Sequence, residues 1–476
     1  MALDQILAHK REEVARRKAD RSLESILASC APATRSLSRA LSAAGPGFVL
    51  EIKFASPSAG VIRGGTDLDP VLASYARHAD AVSVLTDERF FGGSLARLAE
   101  VRARLDQPLL CKDFFLEPFQ VAEARLHGAD AILLILAAVD DSTWRACADL
   151  AARLRMEVLT EVHDETEADR AVALGARLIG VNNRDLRTLA VDLGTTPRVE
   201  PRIPDDRLVV SESGIKSRAE VTALRSVADA FLVGGALMRE PDLDGAVRRL
   251  VYGVTKVCGL TTGDDARAAC AAGATHGGVV FAAESPRLVT QSQAAQVRRG
   301  VPLEWVGVFA DHASEEIAAI ADALDLAAVQ LHGRESPAEV ARVRALAPAR
   351  CAVWKAVRVQ DRLPLRAETG GDRLLLDGAR PDPESRRSMS GPPTGLLGGT
   401  GQRFDWTLLD GYPERADVLL AGGLSAENVA RAAALGVYGL DVSSGVEASP
   451  GRKDPARLTA FFRERRRIPG RGDQSR

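Results

Sequence analysis

The sequence predicts two tandem (β/α)8 (TIM) barrels, an α/β architecture, on three observations. Short apolar runs alternate with longer Ala-, Leu- and Arg-rich amphipathic stretches along the whole chain, the strand–helix rhythm of a parallel α/β fold. These runs fall into two successive sets of eight. The 476 residues also exceed what one core usually holds, roughly 250–300 residues. They do suffice for two barrels of about 250 residues each. A doubly wound open sheet would usually have fewer strands.

In the first half, strands are expected near 48–53, 81–86, 108–112, 131–136, 157–161, 178–182, 207–212 and 230–233. In the second half they are expected near 255–258, 277–281, 305–309, 328–331, 353–357, 373–377, 418–421 and 440–442. The domains are placed at 1–252 and 253–476, with the break near Leu250–Gly253 and no Gly/Ser- or Pro-rich linker. Residues 1–45 precede the first strand, and their opening reads as an amphipathic helix capping the first barrel. One segment, GARPDPESRRSMSGPPTGLL at 378–397, has no periodicity and reads as a long mobile loop. Its few apolar side chains offset little of the entropy lost on ordering it.

Apolar residues at 46% and charged residues at 26% suit soluble globular domains. A net charge of -2 creates no global field for nucleic acid or an anionic membrane, so neither is an expected partner. The basic run Arg463–Arg467 reads as a solvated helix end. The charged opening lacks a signal core, and no run of about 18 apolar residues occurs, so a cytoplasmic protein is expected. The six cysteines (30, 111, 147, 258, 270 and 351) include no C-x-x-C pair, which excludes the common zinc and thioredoxin spacings and fits reduced thiols. His332 has no second ligand at H-x-x-x-H spacing, and the chain contains no Gly-Lys dipeptide, so the glycines at 398–401 form no Walker loop. Neither metal nor cofactor is expected.

Barrel chemistry sits at the C-terminal strand ends. In the first half those ends carry Glu51, Lys53 and Ser56, then Lys112 and Phe114, Glu161, Asn182 and Arg184, Glu212, Ser213 and Gly214, and lastly Gly234 and Gly235. Glu51 and Lys53, two apart, share one side of their strand. An inward Glu–Lys pair beside Lys112, Glu161 and Glu212 is costly to bury for stability alone, which favours catalysis over a structural ion network. Gly214, Gly234 and Gly235 expose backbone N–H groups at the last two strands, where barrels commonly bind phosphate.

The motifs EIKFASPS, CKDFF, LTEV, VNNRDL, SESGI and LVGGALM, in this order over roughly residues 1–250, resemble indole-3-glycerol-phosphate synthase. That resemblance implies closure of 1-(2-carboxyphenylamino)-1-deoxyribulose 5-phosphate to an indole, with loss of CO2 and water. It implies Lys112 as general acid and Glu161 as general base. Lys53 then holds the carboxylate or phosphate and shares in proton transfer. Glu51, Asn182, Arg184, Glu212 and Ser213 orient the substrate, and Phe91, Phe114 and Ser56 line the pocket. The division of labour between Lys53 and Lys112 stays open.

In the second half, Cys258 ends the first strand and Asp377 the sixth. A cysteine at a strand end is commonly a small buried hydrophobe, but a thiol and a carboxyl across a barrel mouth form an acid–base pair. Phosphate-binding candidates recur at the last two strands: Gly422 and Gly423, then Ser443, Ser444 and Gly445. KVCGLT, FAAESPR, VGVF, VQLHG, WKAV, GGTGQRFDW, LLAGGL and DVSSGVE, across about 253–462, resemble phosphoribosylanthranilate isomerase. The implied reaction is an Amadori rearrangement. Asp377 protonates the furanose oxygen, Cys258 as thiolate removes the C2 proton, and Arg287 forks onto the anthranilate carboxylate. The chain departs from that family in the roughly twenty residues between Asp377 and the glycine loop.

The two resemblances cohere, because the product of the second barrel is the substrate of the first. The partners implied are small phosphosugar–anthranilate molecules, and the reading is compatible with a monomer. Other phosphosugar barrels, such as histidine-pathway isomerases, would be expected to use two aspartates. A catalytically dead barrel would lack a required residue, and none is missing.

Overall fold

The computed structural model describes residues 3–42, 45–56, 60–64, 67–359, 361–378, 404–468 and 470–471. The chain divides into two compact units, Met1–Val251 with Ile468–Arg476, and Tyr252–Arg467.

The first unit is a closed barrel of eight parallel strands. They are β1 (Gly47–Ile52), β2 (Ala81–Leu85), β3 (Leu109–Lys112), β4 (Ala131–Ile135), β5 (Glu157–Val162), β6 (Leu178–Asn182), β7 (Leu208–Glu212) and β8 (Ala230–Val233). Each pairs with its sequence neighbours, and β1 closes the ring onto β8 through Gly47↔Ala230. Strands covered on both faces read as near-continuous apolar runs, and β1, β2, β4, β6 and β8 are buried at every residue. Strand-start residues Ala81, Ala131, Leu178 and Ala230 form one core with Leu37 and Leu41 of the helix Leu37–Leu41, which plugs that end of the barrel.

The N-terminal helix Leu3–Asp20 buries Ile6, Leu7, Lys10 and Val14. The Lys10 ammonium is fully buried and lies 2.9 Å from each of Glu13, Asp87 and Asp113. A buried cation needs this many partners, since leaving one charge unpaired there costs about 3–5 kcal/mol. Leu3 and Ile6 from the same helix reach the wall of the cavity at the C-terminal end of the strands.

The second unit is a second closed barrel of eight parallel strands. They are β9 (Val254–Cys258), β10 (His276–Val280), β11 (Glu304–Phe309), β12 (Ala328–Leu331), β13 (Ala352–Val359), β14 (Arg373–Gly378), β15 (Val418–Leu420) and β16 (Gly439–Val442). Its core centres on Val306, Ala328, Trp354, Leu375 and Leu419. The helix Pro455–Arg466 packs Leu458, Phe461 and Phe462 inward, with Phe462 edge-on to Tyr252 at 5.5 Å between ring centroids. All sixteen strands begin and end within two residues of the ranges expected from the sequence. The expected loop 378–397 and the glycines 398–401 lie outside the described residues, except for Gly378 at the end of β14.

Among the described residues, no helix is long and apolar enough to cross a membrane. Nor do three or more His, Cys, Asp or Glu side chains there gather as metal ligands would.

Candidate active sites

In the first barrel the strand ends deliver their side chains to one point. The Lys112 ammonium, at the end of β3, lies 2.7 Å from Glu212 on β7 and 3.9 Å from both Glu51 on β1 and Glu161 on β5. Lys53, just past β1, pairs with Glu51 at 2.6 Å. Asn182 at the end of β6 donates to Glu161 Oε1 at 3.1 Å and accepts from the Arg184 backbone N–H at 3.0 Å. Above them opens a cavity of about 590 Å³. Its wall includes Glu51, Lys53, Ser56, Phe91, Lys112 and Phe114. Glu161, Asn182, Arg184, Ser213, Gly214, Gly234 and Gly235 complete that part of it. Of the residues singled out from the sequence, only Glu212 lies beneath the wall, buried against Lys112.

Two glycines make room for these carboxylates. A Cβ at Gly234 would stand 2.3 Å from Glu51 Oε1, and one at Gly180 would stand 2.0 Å from Glu212 Oε1. Gly234 therefore has a packing duty as well as an exposed N–H. Ser213 holds a left-handed backbone (φ 64°) at the cavity wall, a conformation that costs a non-glycine residue energy and is often found at working sites.

The charges bias one another strongly. Burial disfavours the Lys112 ammonium, but Glu212, Glu51 and Glu161 outweigh it and raise its pKa. Burial pushes Glu51 up, yet Lys53 and Lys112 leave it below the usual carboxylate range. Glu161 is likewise held low against burial, by His163, Lys112 and Asn182. Glu212 goes the other way: burial dominates, and the Glu161 and Glu51 carboxylates add to it, despite Lys112. Environment thus pushes carboxylates of one residue type apart in acidity. Sequence reasoning missed His163, although its position two residues beyond Glu161 on the same strand side was a usable signal.

In the second barrel, Cys258 and Asp377 both face a cavity of about 830 Å³, together with Arg287, Gly422, Gly423, Ser443 and Ser444. Gly445 is not on that wall; a Cβ there would stand 1.9 Å from the Leu424 carbonyl oxygen, so close packing explains this glycine. Arg287 does not present a free fork. Its Nε and Nη2 already donate to Glu447 at 2.8 and 2.6 Å. That leaves Nη1 as the guanidinium nitrogen not bonded to Glu447. Glu447 also accepts from Lys453 at 2.7 Å, and Lys453 donates to the Cys258 carbonyl at 2.6 Å.

A buried polar string underlies the cavity. The Lys256 ammonium donates to Asp441 and to Gln330, both at 2.8 Å. Gln330 Nε2 meets His332 Nδ1 at 2.9 Å, and His332 Nε2 lies 3.6 Å from Asp377 Oδ2. Burial raises the Cys258 thiol pKa and Asp441 adds to that, while the Lys256 ammonium opposes it.

Strand alternation separates Cys111 from its neighbour Lys112. Its thiol is buried against Thr86, and burial, reinforced by Asp113, pushes it up to about 12. Alkylation should therefore be selective. Iodoacetamide is expected to abolish isomerisation through the half-buried Cys258, at a rate that climbs with pH beyond the ordinary thiol range. The indole-forming activity should survive the same treatment. Loss of both activities at equal rates would overturn this assignment.

Comparison with known proteins agrees with the geometry. The family described as indole-3-glycerol phosphate synthase matches residues 3–250, and the family described as N-(5'phosphoribosyl)anthranilate (PRA) isomerase matches residues 255–464. The tryptophan biosynthesis protein TrpCF of Salmonella typhi is 44% identical over 460 residues, covering 97% of this chain and 98% of that protein. The TrpCF protein of Vibrio cholerae is 45% identical over 464 residues, covering 98% and 96%. That of Helicobacter pylori J99 is 38% identical over 462 residues, covering 97% and 98%. The chain belongs to the bifunctional family of tryptophan biosynthesis in which an indole-3-glycerol phosphate synthase barrel precedes a phosphoribosylanthranilate isomerase barrel.

Proposed function

We propose that each of the two reactions is carried by the side chains at the mouth of its own barrel. In the second barrel, Asp377 protonates the furanose oxygen of N-(5-phosphoribosyl)anthranilate, and the ring opens to a Schiff base. Cys258, as thiolate, takes the C2 proton. The enolamine then relaxes to the ketone of 1-(2-carboxyphenylamino)-1-deoxyribulose 5-phosphate. Both groups line one cavity, and His332 Nε2 lies 3.6 Å from the Asp377 carboxylate. The Nη1 edge of Arg287 receives the anthranilate carboxylate. The amides at Gly422–Gly423 and Ser443–Ser444 receive the phosphate.

In the first barrel, Lys112 arrives protonated and delivers its proton to the ketone oxygen as the anthranilate ring carbon attacks C2. CO2 leaves to restore the aromatic ring. Glu161 moves protons during the dehydration that completes the indole. Lys53 and Arg184 hold substrate anions, and Gly214, Gly234 and Gly235 offer backbone N–H groups to the phosphate. The observation that carries this reading is the convergence of Lys112 with carboxylates from three other strands beneath one cavity.

A cytosolic enzyme is inferred from its six free thiols, as expected of a reducing compartment. Neither site needs a second copy, since each cavity is lined from within one barrel. Phosphoribosylanthranilate given to the purified chain, with no other enzyme, should yield indole glycerol phosphate, followed by fluorescence. Accumulation of the ribulose intermediate without indole would refute the proposed first site.

A further inference from the structure

His163 belongs to neither set of residues read from the sequence, yet it lies against one of the buried carboxylates of the first site. It follows β5, two residues beyond Glu161, so both side chains leave the chain on the same side. Its Nε2 lies 3.2 Å from Glu161 Oε1, and its Nδ1 lies 3.0 Å from Glu167 Oε2, on the helix Glu165–Ala173. The Glu167 carboxylate is also fixed, because the same oxygen accepts the His163 backbone N–H at 2.9 Å. The ring thus lies between two carboxylates, hydrogen-bonded to Glu167 and within ion-pair distance of Glu161. Its side chain is 13% exposed, against 3% for Glu161 and 19% for Glu167.

We propose that His163 is a positioning residue of the indole-forming reaction: an imidazolium fixed by Glu167 that keeps Glu161 charged and aimed into the cavity. The proposal rests on the reading of Glu161 as the base. The need for such a cation follows from the site. Glu161 faces the Lys112 ammonium at 3.9 Å and the Asn182 amide at 3.1 Å. It also feels the Glu51 and Glu212 carboxylates, which share the Lys112 ammonium, although Glu51 has Lys53 at 2.6 Å as well. Lys112 pairs closely with Glu212 at 2.7 Å, so it alone compensates Glu161 poorly. The imidazolium adds a positive charge at Glu161 Oε1, whereas Lys112 approaches Oε2. Burial disfavours its charged form, but Glu161 and Glu167 outweigh this and raise its pKa to about 10. Its stabilising contribution is then complete below the ordinary value of about 6.5 and is lost as pH climbs through about 10.

Histidine NMR of the full-length enzyme tests the clamp without reference to activity. The His163 Cε1–H signal, assigned through the His163→Leu variant, should stay at its protonated position from pH 6 to 8.5. In Glu161→Gln and in Glu167→Gln it should titrate closer to the ordinary range. In parallel, His163→Leu should move the acidic limb of the synthase kcat/KM profile upward by about one pH unit or more, the usual effect of a charge at this distance. Isomerase activity in the same chain should not change. A His163 signal that titrates near 6.5 in the unmodified enzyme overturns the proposal, as does an unmoved acidic limb in His163→Leu. Full synthase activity in Glu161→Gln would instead remove the base assignment, leaving the NMR result to judge the clamp by itself.

Discussion

Replacement of Lys112 by alanine is expected to lower the synthase kcat by about 10³-fold or more while leaving isomerisation intact. General acid catalysis alone contributes about 10²–10⁴-fold. Lys112 adds a second effect, because it is the cation shared by Glu212, Glu51 and Glu161. Without it, three buried carboxylates face one another with only Lys53 and His163 to offset them. Their pKa values must rise, so the base is impaired together with the acid. Lys112→Arg keeps the charge but moves the donor. It should restore stability to chemical denaturation more than it restores rate. The measurement is turnover of purified ribulose intermediate to indole glycerol phosphate, with isomerase turnover in the same sample as a control. Synthase activity within tenfold of the unmodified chain in Lys112→Ala would refute the assignment.

Cys258→Ala should have a comparable effect on the other barrel, at least about 10³-fold on isomerisation, with indole formation from supplied ribulose intermediate unchanged. The thiol faces the cavity across from Asp377, and no other thiol lines that wall. Asp377→Asn should cost a similar factor. Because acid and base act on one substrate in sequence, the double variant should be little worse than either single one. Loss of both activities in a folded Cys258→Ala protein would sink the model of two independent sites. Isomerase activity within tenfold of normal would show that another group takes the C2 proton.

Much of the polar lining of the two cavities was legible because barrel chemistry is written at strand ends. Short apolar runs revealed where strands stop, and a period of two revealed which neighbours share a side. That logic places Lys112 at the cavity and Cys111 away from it, as the structure has them. The same rule could have reached His163 and Lys256, each two residues from a residue that had been singled out. They were passed over because a lone histidine or lysine carries no chemical signature until its partner is known.

What the linear order determined by itself was the strand inventory, the two-barrel architecture and the roster of polar groups at each mouth. What only the tertiary structure decided was who faces whom. Barrel closure sets β9 beside β16 in the register Lys256↔Asp441, joining residues 185 positions apart. It also lets Glu447 occupy the Nε edge of Arg287 from 160 positions away, so the arginine offers a ligand less than its full fork. It places Lys10 in a buried cluster with Asp87 and Asp113. Local periodicity cannot encode such pairings, because they depend on the register and closure of the whole ring. Buried charges enforce them afterwards, since each left without its partner would cost several kcal/mol.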